Sequence, residues 1–255
     1  YKHSIAKTGL SDRMEPGDIS RLTRSDSVVF RVSFTNNKPP APEYRYWRAM
    51  TYTDFDGQRW SISDVQHENA IEAENSNNLV EYHVIAEPSA SVWLFALDYP
   101  LDSGSPDLQR FNDGTFKAIN PLFERAGYSA RSDLSNPFDG RPLKNRARYL
   151  AVPVTGNPET REMVRQWQEA GLSSEEKIAA LFESFNQHFT YTLSPQKLQA
   201  ERIDQFLFNT REGFCEHFAS ATAYALRLAG IPTRVVGGYL GGEWNAYEKY
   251  MLIRQ

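Results

Sequence analysis

Arg211-Glu212-Gly213-Phe214-Cys215-Glu216-His217-Phe218 decides how this chain is read, because it sets the one cysteine at the head of a helix. Phe218, Ala221, Thr222, Ala225 and Ala229 follow at helical spacing, Gly230 supplies a stop, and Pro232 confirms it. Thr233-Arg234-Val235-Val236-Gly237-Gly238-Tyr239-Leu240 then reads as a strand. A thiol at a helix N-terminus meets unpaired backbone N–H groups and the positive end of the helix dipole. The expectation is a lowered pKa and a reactive thiolate, with the same N–H groups able to hold an oxyanion. Small residues at Ala219, Ser220, Ala221 and Ala223 let the helix pack close to a sheet, and Gly213 is expected to let the chain turn sharply into the site. A lone cysteine is also commonly a small core hydrophobe, and position alone does not separate these two readings.

Upstream of this run the pattern is helical back to Asn157. Pro158 opens a helix that passes Val164 and Trp167 and ends at Gly171. Ser173 and Glu176 form a capping-box pattern, and the helix behind them carries Ile178, Leu181, Phe182 and Phe185 on one stripe. Phe189 to Leu193 is short and strand-like, and Asp204 to Phe208 reads as a short helix or turn.

From Ser27 to about Arg131 the sequence is β-like. Val28 to Phe34 puts Phe30, Val32 and Phe34 on one face. Tyr44 to Thr53, Leu79 to Ala86 and Val92 to Leu97 read as further strands, and Asp56-Gly57 and Asn112-Asp113-Gly114 offer hairpin turns. Turns between short strands point to a sandwich or barrel. Gln66 to Asn78 and Asn36 to Pro42 read as loops, and Ser132 to Arg146, with Pro137, Gly140 and Pro142, as a linker. The expected class is α+β: a segment 1–26, a β-rich sandwich or barrel-like domain 27–146, and an α/β core 147–255.

Composition narrows the function. Of 255 residues, 40% are hydrophobic and 24% charged, as in a globular protein. The net charge is −4 and no dense Lys/Arg run occurs, which argues against nucleic acid and against a polybasic membrane contact. One cysteine allows no internal disulfide. No apolar run is long enough to cross a bilayer. A chain that begins at Tyr1 and ends at Gln255 directly after a hydrophobic run is expected to be a segment of something longer.

The run from Gly213 to Tyr239, with Gly-Phe-Cys-Glu-His-Phe-Ala-Ser and then Gly-Ile-Pro-Thr-Arg-Val-Val-Gly-Gly-Tyr, resembles the nucleophile segment of the transglutaminase-like superfamily. Residues 11–19, Tyr46-Trp47-Arg48, Asp54 to Trp60 and Tyr149-Leu150-Ala151-Val152-Pro153 resemble a bacterial membrane-anchored group, the TgpA-like transglutaminases. The resemblance implies a papain-like core behind a β-rich domain and protein-glutamine γ-glutamyltransferase activity through a Cys215 thioester. It also implies the periplasmic part of an inner-membrane protein in a Gram-negative bacterium. A glutamine-bearing protein as acyl donor and an amine such as lysine as acceptor are the implied partners. This chemistry requires no cofactor, and no acidic loop has Ca²⁺-ligand spacing, so no metal dependence is expected.

In that family a His and an Asp follow the Gly-Tyr strand, and nothing follows Gln255 here. The histidines are His3, His67, His83, His188 and His217. His217 lies two residues past Cys215, about 200° around a helix, so it reads as a rim or packing residue. His188 closes a helix, where it suits the dipole. The segment alone is therefore expected to be inactive or nearly so. Tyr191 is a candidate second oxyanion donor, with an aromatic core residue as the other reading. Tyr239 and Trp244 are candidates to line the acyl site, with Gly241 to Asn245 a mobile loop at its mouth or a plain surface hairpin. Two competing functions remain: hydrolysis by the same thiolate, and a binding module with a vestigial site.

Overall fold

The computed structural model describes residues 10–16, 26–62, 78–105, 108–111, 113–135, 143 and 145–255. Its largest element is an antiparallel sheet of six strands. Their order across the sheet is Glu243–Asn245, Tyr250–Arg254, Val28–Phe34, Leu79–Ala86, Ala126–Asp133 and Pro100–Ser103. A second, three-stranded sheet runs Val235–Leu240, Tyr46–Tyr52, Ala96–Leu97. Each of these two sheets joins strands from before residue 146 to strands from after residue 228, so the change of sequence character at the linker is not a seam in the sheets.

The two sheets close on one apolar core. Phe30, Val32 and Phe34 point inward together, as their alternation predicts. Phe30 stacks on Phe95 at 4.4 Å and meets Trp47 edge-on at 5.4 Å, while Trp47 meets Tyr82 edge-on at 5.8 Å. Such ring pairs add about 1 kcal/mol each beyond the area they bury. The sandwich expected from the turn pattern is thus present, with strands of the C-terminal half completing both of its faces. The strand Ala126–Asp133 has little hydrophobic signal in its sequence, yet it pairs with Leu79–Ala86 along its full length.

The helices form a second cluster. α1 (Pro158–Glu169), α2 (Ser174–His188), α3 (Arg202–Asp204, continuing into a wide turn to Thr210) and α4 (Cys215–Leu228) pack around Val164, Leu181, Phe185, Phe206 and Tyr224. The local signals hold. Glu176 N–H donates to Ser173 Oγ and Ser173 N–H to Glu176 Oε2, closing the capping box. Gly171 and Gly230 take positive φ just past the ends of α1 and α4. The Asp56-Gly57 turn is held by Asp56 Oδ1, which accepts from the N–H groups of Gln58 and Arg59. Leu108–Arg110 pairs with Phe116–Ala118 across the second hairpin, whose Asn112 lies outside the described residues. Most of the loop read at 66–78 and of the linker lies outside them too, and Ser132 and Asp133 belong to a strand rather than to the linker. Among the described residues no helix is long and apolar enough to cross a membrane.

Candidate active site around Cys215

α4 begins at Cys215 because the chain enters it extended, with Phe214 in β conformation and fully buried. Ahead of it, Glu212–Gly213 pairs in parallel with Thr190–Tyr191, with Thr192 N–H donating to Gly213 O at 2.8 Å. This short ladder brings Tyr191 alongside Cys215. The Tyr191 hydroxyl interacts with both the Cys215 thiol and the Cys215 backbone N–H, and its ring stacks on Phe218 at 6.1 Å. Tyr191 is exposed, so it is not the core aromatic that its sequence context allowed.

Gly213 does not have the role expected of it. Its φ is not positive; instead, a Cβ there would lie 2.7 Å from Cβ and Cγ of His217. The residue is glycine to make room for the His217 ring. His217 turns away from the thiol, as its angular offset predicts, and is buried between Phe214 at 4.7 Å and Phe206 at 5.6 Å. Its Nδ1 accepts from Phe214 N–H at 3.4 Å, capping the start of α4.

Cys215 opens into a cleft of about 740 Å³. α2 contributes Phe182, Phe185 and Asn186, α4 contributes Phe218, Ala219 and Thr222, and the chain from Thr233 to Val236 forms the opposite wall. Arg234 is the one charged side chain on the lining, and among the described residues no histidine and no carboxylate lines it. His188 is exposed at the end of α2, and His83 pairs with Ser129 on the outer sheet.

The thiol itself departs from expectation. Burial in the wall of the cleft pushes the Cys215 pKa up, and the buried Glu216 carboxylate behind it pushes the same way. The Glu216 N–H, the Tyr191 hydroxyl and the Cys215 N–H pull in the other direction without reversing the shift. The helix terminus therefore does not make this a spontaneous thiolate. Three donors thus converge on the sulfur and favour negative charge there, against the burial and the Glu216 carboxylate that oppose it.

Residues 2–139 match the TgpA N-terminal domain family, and residues 161–253 match the transglutaminase-like superfamily core. The crystal structure of the periplasmic domain of TgpA from Pseudomonas aeruginosa aligns at a TM-score of 0.88 and 39% identity, over 97% of this chain and 86% of that one. The chain belongs to the TgpA family of transglutaminase-like proteins. The ethylmercury-bound form of that domain aligns at a TM-score of 0.85 and 38% identity, over 97% and 88% of the two chains. The protein-glutamine gamma-glutamyltransferase of P. aeruginosa is 40% identical over 254 residues, which are 97% of this chain and 37% of that protein. The uncharacterized protein YebA of Bacillus subtilis is 25% identical over 239 residues, 80% of this chain and 32% of that protein. The chain thus spans about a third of the length of these relatives.

In this TgpA-family chain the part matching the N-terminal domain clamps α4 directly. Trp60 Nε1 donates to Ser220 Oγ at 2.8 Å. Arg227, buried near the far end of α4, donates to Thr53 O, Ala151 O and Thr233 O and lies over the Trp60 ring at 4.8 Å. Burial pulls the Arg227 pKa down to about 10 against the opposing pull of Asp54, and its hydrogen bonds go to carbonyl oxygens. Neither anchor shows in the sequence, because Trp60 is 160 residues from Ser220 and Thr53 is 174 from Arg227.

Two sequence candidates lie elsewhere. Tyr239 turns into the sandwich core, with its ring 5.6 Å from Phe95 and 6.1 Å from Phe30. Trp244 packs on Phe34 at 6.0 Å, and Glu243–Asn245 is an edge strand of the large sheet rather than a loop at the mouth. Neither residue lines the cleft. Strand alternation turns the Tyr239 ring to the core face, and the hairpin carries Trp244 onto the other sheet.

His217 gives the site an acid limit. Burial lowers its pKa to about 4, against about 6.5 for an ordinary histidine. The unfolded chain therefore binds the proton first as pH falls, and stability drops from about pH 6.5 down to about pH 4. The full loss is about 3 kcal/mol at 1.36 kcal/mol per pH unit. Urea midpoints of wild type and His217→Gln between pH 7.5 and 4.5 check this. The variant is expected to be weaker at neutral pH and to have a flatter profile; an unchanged slope would reassign the acid sensitivity to other groups.

Proposed function

We propose that this chain is the acyl-transfer part of a protein-glutamine γ-glutamyltransferase of the TgpA type, the periplasmic portion of an inner-membrane protein. The observation that carries this reading is the convergence of the Cys215 N–H, the Glu216 N–H and the Tyr191 hydroxyl on one sulfur at the head of α4. The name of the P. aeruginosa relative supports it.

The Cys215 thiol gives its proton to a base, and Sγ attacks the γ-carboxamide carbon of a glutamine side chain. The carbonyl electrons move onto oxygen, where backbone N–H groups and the Tyr191 hydroxyl stabilise the charge. Collapse expels the amide nitrogen as ammonia, with the proton returned by the base, and leaves a thioester. An amine then attacks the thioester carbon, loses a proton to the base and releases the thiol. With lysine the product is an isopeptide bond; with water it is glutamate. The raised Cys215 pKa calls for a base, and in the superfamily that the chain resembles a histidine and an aspartate that follow the Gly-Tyr strand fill this role.

Amine incorporation tests the reading. The full-length protein is incubated with a glutamine-bearing protein and a fluorescent amine, and ammonia is measured alongside. Incorporation is expected from the full-length protein, and little or none from residues 1–255 alone. Ammonia release that added amine does not divert would replace transfer by hydrolysis. Replacing Tyr191 by phenylalanine is expected to lower kcat about a hundredfold, the usual loss for one oxyanion donor, with little change in melting temperature because the side chain is exposed. An unchanged kcat would remove Tyr191 from the site.

A further inference from the structure

We propose that Tyr46, in the part of the chain matching the TgpA N-terminal domain, is a positioning residue of the Cys215 site that acts through the carbonyl of Val236. The kinetic arm of the proposal rests on the acyl-transfer reading above.

The strand Val235–Leu240 begins on the wall of the cleft that holds Cys215. Among the described residues its one ladder partner is Tyr46–Tyr52, so nothing else in the sheet fixes its height over α4. The ladder is irregular where it matters. Register slips between Gly237 and Gly238, just after Val236, and a slipped ladder locally weakens pairing. The Tyr46 side chain spans this slip. Its backbone pairs with Leu240, yet its hydroxyl reaches back along the strand and donates to Val236 O at 2.9 Å. The far end is held separately, by Gly241 N–H donating to Arg45 O at 2.8 Å and Trp47 Nε1 donating to Gly241 O at 3.0 Å.

Tyr46 is also close enough to Cys215 to feel its charge. Burial raises the phenol pKa to about 12, with Asp98 and Cys215 adding to the rise and Arg48 opposing it. The hydroxyl therefore keeps its hydrogen throughout the working range and can serve Val236 continuously. The side chain thus sets the wall facing the nucleophile, and any acyl group on Cys215 must fit against that wall.

Tyr46→Phe in the full-length protein removes the hydroxyl and keeps the ring. The expected result is a fall in kcat for amine incorporation of about tenfold, with the amine KM within about twofold, as for a small misplacement of reacting groups. Amide hydrogen exchange at residues 236–240 is expected to speed up about tenfold while the pairing of Val28–Phe34 with Leu79–Ala86 stays protected. Tyr44→Phe, a change at an exposed neighbour, serves as control and is expected to change neither readout. A wild-type kcat in Tyr46→Phe, unchanged exchange at 236–240, or faster exchange across the whole sheet would each overturn the proposal, the last by making Tyr46 a general structural prop. If wild type itself incorporates no amine, the acyl-transfer reading fails, and the exchange measurement still decides whether Tyr46 holds the strand.

Discussion

Cys215→Ala in the full-length protein is expected to cut amine incorporation by at least about 10⁴-fold while leaving the folded structure intact. The size follows from the cleft. Its other side-chain hydroxyls belong to Tyr191, Thr222 and Thr233, and none sits at a helix head beneath converging N–H groups. Cys215→Ser is expected to be nearly as damaged. The site already raises the pKa of the thiol, and an alcohol is far harder to deprotonate in the same surroundings. Stability should barely move, because the Cys215 side chain lines the cleft and belongs to neither apolar core cluster. Alkylation by iodoacetamide gives a second check on residues 1–255, where Cys215 is the one thiol. Its rate should climb with a midpoint above the ordinary value of about 8.5. More than about one percent of wild-type incorporation in the alanine variant would remove Cys215 from the chemistry, since a lost nucleophile leaves far less.

That raised thiol marks the limit of what the sequence could convey. Much of what is encoded within a few residues was readable: the start of α4, its stop at Gly230, the Ser173–Glu176 cap, the inward face of Val28–Phe34 and the Asp56-Gly57 turn, though not the room that Gly213 makes for His217. Each depends on neighbours along the chain. The Cys215 pKa does not, because its largest cause is the burial imposed by walls from α2, α4 and the segment Thr233–Val236. A helix dipole is a local property; desolvation belongs to the assembled fold, and here it wins. Tyr239 and Trp244 lie off the cleft lining for a related reason. Tyr239 reads as a strand-end residue and Trp244 as part of a loop at the mouth, but pairing with Tyr46–Tyr52 and Tyr250–Arg254 decides where those rings point. The strand Ala126–Asp133 falls at the end of the stretch that reads as β without standing out in it, because Ala, Gly, Ser, Arg and Asp surround its single aromatic, Tyr128. Its place is set by the neighbours that cover it.

The second large effect is expected at Gly238. Gly238→Ala should destabilise residues 1–255 by about 4 kcal/mol or prevent folding altogether, because the clash involves main chain on both sides. A Cβ at this position would lie 2.0 Å from Trp47 O, 2.9 Å from Trp47 C and 3.2 Å from Arg48 Cα. None of these atoms belongs to a movable side chain. Retreat of the strand Tyr46–Tyr52 is blocked from behind. The Trp47 ring is fully buried against Phe30 and Tyr82, and Arg48 is tied to Asp98 at 2.8 Å and to Asp113 O at 3.0 Å. Retreat of Val235–Leu240 would break the Tyr46–Val236 and Trp47–Gly241 hydrogen bonds and widen the wall opposite Cys215. The close approach is thus what lets one half of the chain hold the nucleophile's surroundings in the other half, and glycine is the one residue that permits it. Gly104→Ala is the matched control. Its Cβ would meet the Ser129 side chain at an ordinary 3.5 Å and its φ is not positive, so a change within about 0.5 kcal/mol is expected. Denaturant midpoints of the two variants decide the matter. A Gly238→Ala protein as stable as the control would mean that the two strands do not approach this closely, and the coupling of both halves through this ladder would have to be abandoned.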